Sequence, residues 1–150
     1  MNTITRIAGF MGMLAAALAS RVMAQEGAVA AAAPSTSLTL ELNALKAGDN
    51  SCRVTFLATN ALGHALDKAA FEVALFDKDG SIDRLVTLDF KTLAEGKTKV
   101  LQFELAKMQC DGISRVLIND VAACTGAGVE PSLCLDHLAT VNRTTIVFGL

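Results

Sequence analysis

Four cysteines, at positions 52, 110, 124 and 134, are the side chains of this 150-residue chain best equipped to do chemistry. A thiol can attack a carbonyl, pass electrons, ligate a metal or close a bridge, and the compartment decides which. All four lie downstream of a segment with the grammar of a secretion signal. Residues 1–6 carry the amino terminus and one arginine, and residues 7–19 (IAGFMGMLAAALA) are apolar, uncharged and too short to span a bilayer. Val22-Met23-Ala24 then places small residues at the cleavage positions, so cleavage is expected after Ala24, with a second site at Ala17-Leu18-Ala19. No cysteine stands directly after the apolar run or at the cleavage site, which argues against a lipid-anchored product. Four cysteines in an exported chain read as a disulfide framework, and a bridged sulfur is no longer a nucleophile or a redox partner.

Other constellations invite chemistry and fall short of it. Cys134-x2-His137 has a workable ligand spacing and Met108-x-Cys110 could take copper, but bridge formation competes with thiolate ligation and only His64 and His137 remain. A periplasmic metal-handling protein for copper or zinc is therefore an alternative reading, with no metal site or cofactor expected in the main one. Asp77, Asp79 and Asp83 surround Gly80 as in a calcium loop. The EF-hand needs glycine sixth and glutamate twelfth, whereas here glycine falls fourth and Leu88 twelfth. A type I turn with a glycine bulge accounts for the same residues. No Gly-x-Ser-x-Gly or Ser-x-x-Lys motif is present, and carboxylates in a turn have nothing to desolvate them. The expectation is a non-catalytic protein, with an enzyme of unrecognised type as the second alternative.

Composition narrows the partners. Removal of Arg6 and Arg21 with the leader leaves 11 basic against 15 acidic residues, a net charge near −4. Such a domain has no electrostatic footprint for nucleic acid or anionic lipid. The absence of Trp and Tyr disfavours a sugar-binding platform and base stacking. No further apolar run reaches membrane length, so no span is expected after signal cleavage. Asn142-Arg143-Thr144 is a formal glycosylation sequon.

The elements that must position these residues are strands. Residues 25–37 (QEGAVAAAAPSTS) read as a flexible Ala-rich linker, and the folded domain is expected over 38–150. Leu38, Leu40, Leu42 and Ala44 alternate with polar residues, as do Cys52, Val54, Phe56 and Ala58. Phe71, Val73 and Leu75 make a third strand, Asp77 to Gly80 a hairpin, and residues 84–90, 99–105, 115–121 and 144–148 four more. Residues 62–70 leave room for a helical turn. No 15-residue helical pattern exists, which disfavours a βαβ fold. The fold class is thus all-β, an antiparallel immunoglobulin-like sandwich of about seven strands behind a cleavable signal peptide (residues 1–24).

The segments LTLELNAL, CRVTFLATN, LDKAAFEVALFD, LVTLDF, KVLQFEL, RVLINDVAAC and the terminal FGL resemble a family of small exported alphaproteobacterial proteins that carry a Tat-signal name. Asn60 ahead of a loop, FEVALFD, Asp-Gly and Gly96-Lys-Thr-Lys also resemble bacterial extracytoplasmic immunoglobulin-like domains, with Phe76 where those have tyrosine. The resemblance implies an exported, periplasmic sandwich and no activity. Arg6 stands alone without a twin arginine, so general secretion is expected rather than Tat export.

Geometry then chooses among three cysteine pairings. Successive antiparallel strands put Cys52 and Cys110 at one end and Cys124 at the other, a strand length of roughly 23 Å away against a ~7 Å limit for bridging. The expected bridges are Cys52–Cys110 and Cys124–Cys134, closing loops nominally worth ~4 and ~2.5 kcal/mol of unfolded-state entropy. Cys134 is expected outside the sheets. The pinned segment between Cys124 and Cys134 is expected to project as an excisable loop, with Gly126, Gly128 and Glu130 as binding residues for another periplasmic or envelope protein. The terminal TTIVFGL is either the last buried strand or an edge open to a partner.

Overall fold

Alternation of apolar and polar residues at a period of two sends one set of side chains inward along each strand, and two such surfaces stacked together make a core. A computed structural model describes residues 36–150, so the leader, its cleavage site and nearly all of the linker lie outside the described residues. The chain forms eight strands: β1 (Ser37–Gly48), β2 (Ser51–Ala61), β3 (Leu66–Phe76), β4 (Ile82–Leu93), β5 (Lys97–Ala106), β6 (Arg115–Thr125), β7 (Leu138–Asn142) and β8 (Val147–Gly149). They assemble as two four-stranded sheets, β5-β2-β1-β7 and β4-β3-β6-β8. The antiparallel triplets β5-β2-β1 and β4-β3-β6 follow the immunoglobulin-like order, and β7 and β8 depart from it by pairing parallel.

The six long strands pair antiparallel, while β7 adds parallel to β1 and β8 parallel to β6. The C-terminal segment therefore runs along one sheet, turns at residues 143–146 and returns on the other. Asn142 makes that turn: its Oδ1 accepts from the Thr144 N–H and hydroxyl, and its Nδ2 donates to the Ile146 carbonyl. The last expected strand, residues 144–148, is thus split, its first half being turn and β8 starting only at Val147. A second difference lies at residues 62–70. β3 begins at Leu66, whose side chain is buried beside the core, so no helical turn forms there.

Phe56 centres the core. It meets Phe90 at 5.6 Å, Phe103 at 6.0 Å and Phe148 at 5.6 Å, edge to face in each case. Leu38, Leu40 and Leu42 of β1 and Phe71, Val73 and Leu75 of β3 close over this cluster. The Asp77–Gly80 hairpin is as expected: Gly80 takes φ +81°, and Asp77 Oδ1 accepts the N–H groups of Asp79 and Ser81. That carboxylate is committed to its own turn.

The bridges join Cys52 to Cys110, with Cα atoms 4.8 Å apart, and Cys124 to Cys134, at 5.9 Å. They sit at opposite ends of the sandwich. Cys134 does not lie outside the packing, however. A four-residue helix, α1 (Leu133–Asp136), turns it inward until it is fully buried, with Cys124 only 4 % exposed.

Candidate functional site

Connections β2–β3, β4–β5 and β6–β7 all emerge at the end that carries the Cys124–Cys134 bridge. Registers fix this: Ala61 lies opposite Ser37, Lys97 opposite Asn60, Leu66 opposite Leu93, and Thr125 opposite Lys68. Loops at one end of a sandwich form a contiguous surface on a rigid base, the position from which such folds recognise partners.

Asn60 holds two of these loops in place. It continues the inward parity of Cys52, Val54, Phe56 and Ala58, so its amide is fully buried, the one polar residue so placed among those described. Its Nδ2 donates to the His64 carbonyl at 2.8 Å and the Leu93 carbonyl at 2.9 Å, and its Oδ1 accepts the Leu62 N–H at 3.1 Å. Its backbone carbonyl accepts the Gly96 N–H at 2.8 Å. One side chain thereby satisfies the turn of β2–β3 and the end of β4, and its main chain holds the β4–β5 turn. Glu95 adds a link from outside, accepting the Gly63 N–H at 3.1 Å.

The third loop is seated on the first. A β-carbon at Gly126 would run into the Ala65 carbonyl oxygen, so only glycine allows this approach. Gly128 takes φ +72° and lies against the His64 imidazole. Val129 packs on the core, and turns from Val129 N–H to Gly126 and Leu133 N–H to Glu130 complete the fold of the loop. Of the expected binding residues, Gly128 and Glu130 are exposed and Gly126 is half-buried in a structural seat. The segment folds back rather than projecting, and it is not excisable without uncovering Ala65 and Val129. Sequence reading missed Asn60 as the organiser, although the strand parity that placed Phe56 and Ala58 inside also places residue 60 there.

The exposed chemistry of this end is mixed: His64, Glu95, Lys97 and Glu130 around open glycine backbone. Cys134 is bonded to Cys124, so it is not a ligand partner for His137. Among the described residues, no three His, Cys, Asp or Glu side chains converge as a metal site. Two hollows lie outside the three loops. One of about 460 Å³ runs between the edges of β4 and β5, past Asp89, whose carboxyl is held below its ordinary range by the Lys91 ammonium and backbone N–H. Another of about 420 Å³ lies where β7 leaves β1, beside Arg143 and Asp111. Comparison with known proteins finds no matching family model, no matching curated protein and no matching solved structure.

Proposed function

We propose that this chain is an exported, non-catalytic binding module of the bacterial periplasm that recognises another envelope protein with the loop end carrying Cys124–Cys134. Export is supported by the leader over residues 1–24 and by two bridges that use every cysteine. The observation that carries the binding reading is the pinning of all three loops, by Asn60 at two of them and by the buried bridge at the third. A preorganised surface loses little entropy on association, and so converts modest contacts into affinity. His64, Glu95 and Glu130 supply hydrogen bonds and charge, and Gly128 exposes backbone for close approach.

The test is capture from periplasmic extract with the mature protein, followed by a binding titration of the captured partner. His64→Ala, Lys97→Ala and Glu130→Ala replace exposed side chains that make no hydrogen bond among the described residues, and leave the core and the loop links intact. The combined variant should bind its partner at least ~10-fold more weakly, equivalent to about 1.4 kcal/mol, with an unchanged melt. Undiminished binding by that variant would place the site elsewhere on the molecule.

A further inference from the structure

The outer faces of the two sheets differ in kind. On the β5-β2-β1-β7 sheet the outward residues are largely polar apart from the Leu57–Val100 pair, with Thr59 and Thr98 hydrogen bonded across strands and Arg53 paired to Glu104. On the β4-β3-β6-β8 sheet, half of the outer face is apolar. Ile82, Phe76, Arg115 and Val147 form one cross-strand row, and Leu85, Ala74, Leu117 and Gly149 the next. Ile82 is 58 % exposed, Leu85 52 % and Val147 59 %. Isolated exposed apolar residues need no explanation, but two adjacent rows across a whole sheet do.

Charge on this face is separated and unsatisfied. Arg115 stacks over the Phe76 ring at 5.3 Å, yet its guanidinium has no acceptor among the described residues and its Nε is buried without one. In the third row Glu72 and Asp120 stand directly opposite each other on neighbouring strands, a like-charge pairing that costs stability. Glu72 takes only the Asn119 amide, and neither acid pairs with a cation among the described residues. Same-face rows repeat at about 6.8 Å, so Arg115 lies roughly 13 Å from the acids, out of reach within one chain.

We propose that this face pairs with the same face of a second copy, the two sheets stacking with their strands reversed. A two-fold axis lying across the strands sets the first row of one copy over the third row of the other. Arg115 then meets the Glu72–Asp120 pair of its twin, twice by symmetry, and the Leu85-Leu117 rows close over each other between the two charge clusters. A closed two-fold contact of this kind needs only one self-complementary patch. Four strands by three rows span about 19 by 20 Å, on the order of 400 Å² of sheet per copy, which suits a weak, reversible dimer. The loop end is left free in both copies.

Sedimentation of the full mature protein across about 1 µM to 1 mM, the range of weak association, should show a monomer–dimer shift that weakens with salt. Leu85→Glu should abolish the shift. Arg115→Glu alone, and Glu72→Arg with Asp120→Arg, should each leave a monomer, and the three together should restore the dimer. Melts of each variant separate lost pairing from lost folding. A wild-type monomer throughout the range, a dimer indifferent to Leu85→Glu, or failure of the charge reversal to restore association would overturn the proposal.

Discussion

A buried amide is tolerated only when its donors and acceptor are all met, because an unpaired polar group in the core costs about 1–3 kcal/mol. Asn60 meets that condition through three side-chain hydrogen bonds, two to the β2–β3 connection and one to the end of β4. Asn60→Ala would leave the His64 and Leu93 carbonyls and the Leu62 N–H without partners, and also open a small void. The expected loss is about 2–4 kcal/mol in urea melts, with amide exchange accelerating first at residues 62–65 and 94–96. Asn60→Asp should destabilise too, since it replaces the donor facing two carbonyls with a second acceptor. Uniform acceleration across the sandwich would mean that Asn60 is mere packing. Gly126 teaches a related lesson: it was expected as a contact residue on account of its freedom, and that freedom is spent on the approach to Ala65.

At the level of elements, an open sandwich exposes unpaired strand edges, which invite pairing with another chain. β4 and β5 are the long edges here, and two cations stitch them to each other. Arg84 reaches from β4 to the Ala106 and Lys107 carbonyls, at 3.0 and 3.4 Å. Lys99 reaches back from β5 to the Phe90 and Thr92 carbonyls, at 3.3 and 3.0 Å. Both side chains are positioned as inward-leaning charges that block edge-to-edge growth. Arg84→Ala with Lys99→Ala should leave the monomer folded but raise its rate of thioflavin-positive aggregation several-fold over the wild type, read in agitated solution at neutral pH. An unchanged rate would remove the latch from the account. The same scale shows where sequence reading ran out. Strands β1 to β6 were legible because most of their inward residues are large and recur at every second position. β7 was not, since LATVN is five residues long, and its position depends on a parallel register with β1 that no local signal encodes. Residues 62–70 left room for a helical turn, but burial of Leu66, Ala69 and Ala70 draws them into β3.

For the whole molecule, the bridge pairing was legible because it follows from strand direction alone, and both bonds fall as that argument requires. Depth was not legible: α1 is too short to announce itself, yet it carries Cys134 under the end of the sandwich. The consequence is that the loop end is braced from within the core, by a buried sulfur bridge on one side and a buried amide on the other. We propose this braced end as the recognition surface, and amide hydrogen exchange of the protein with and without its captured partner decides the point. Protection on binding should concentrate at residues 62–65, 94–96 and 125–130, while the outer faces of both sheets exchange as in the free protein. Protection confined to a sheet face or to the hollow beside Arg143, with those three loops unchanged, would contradict it.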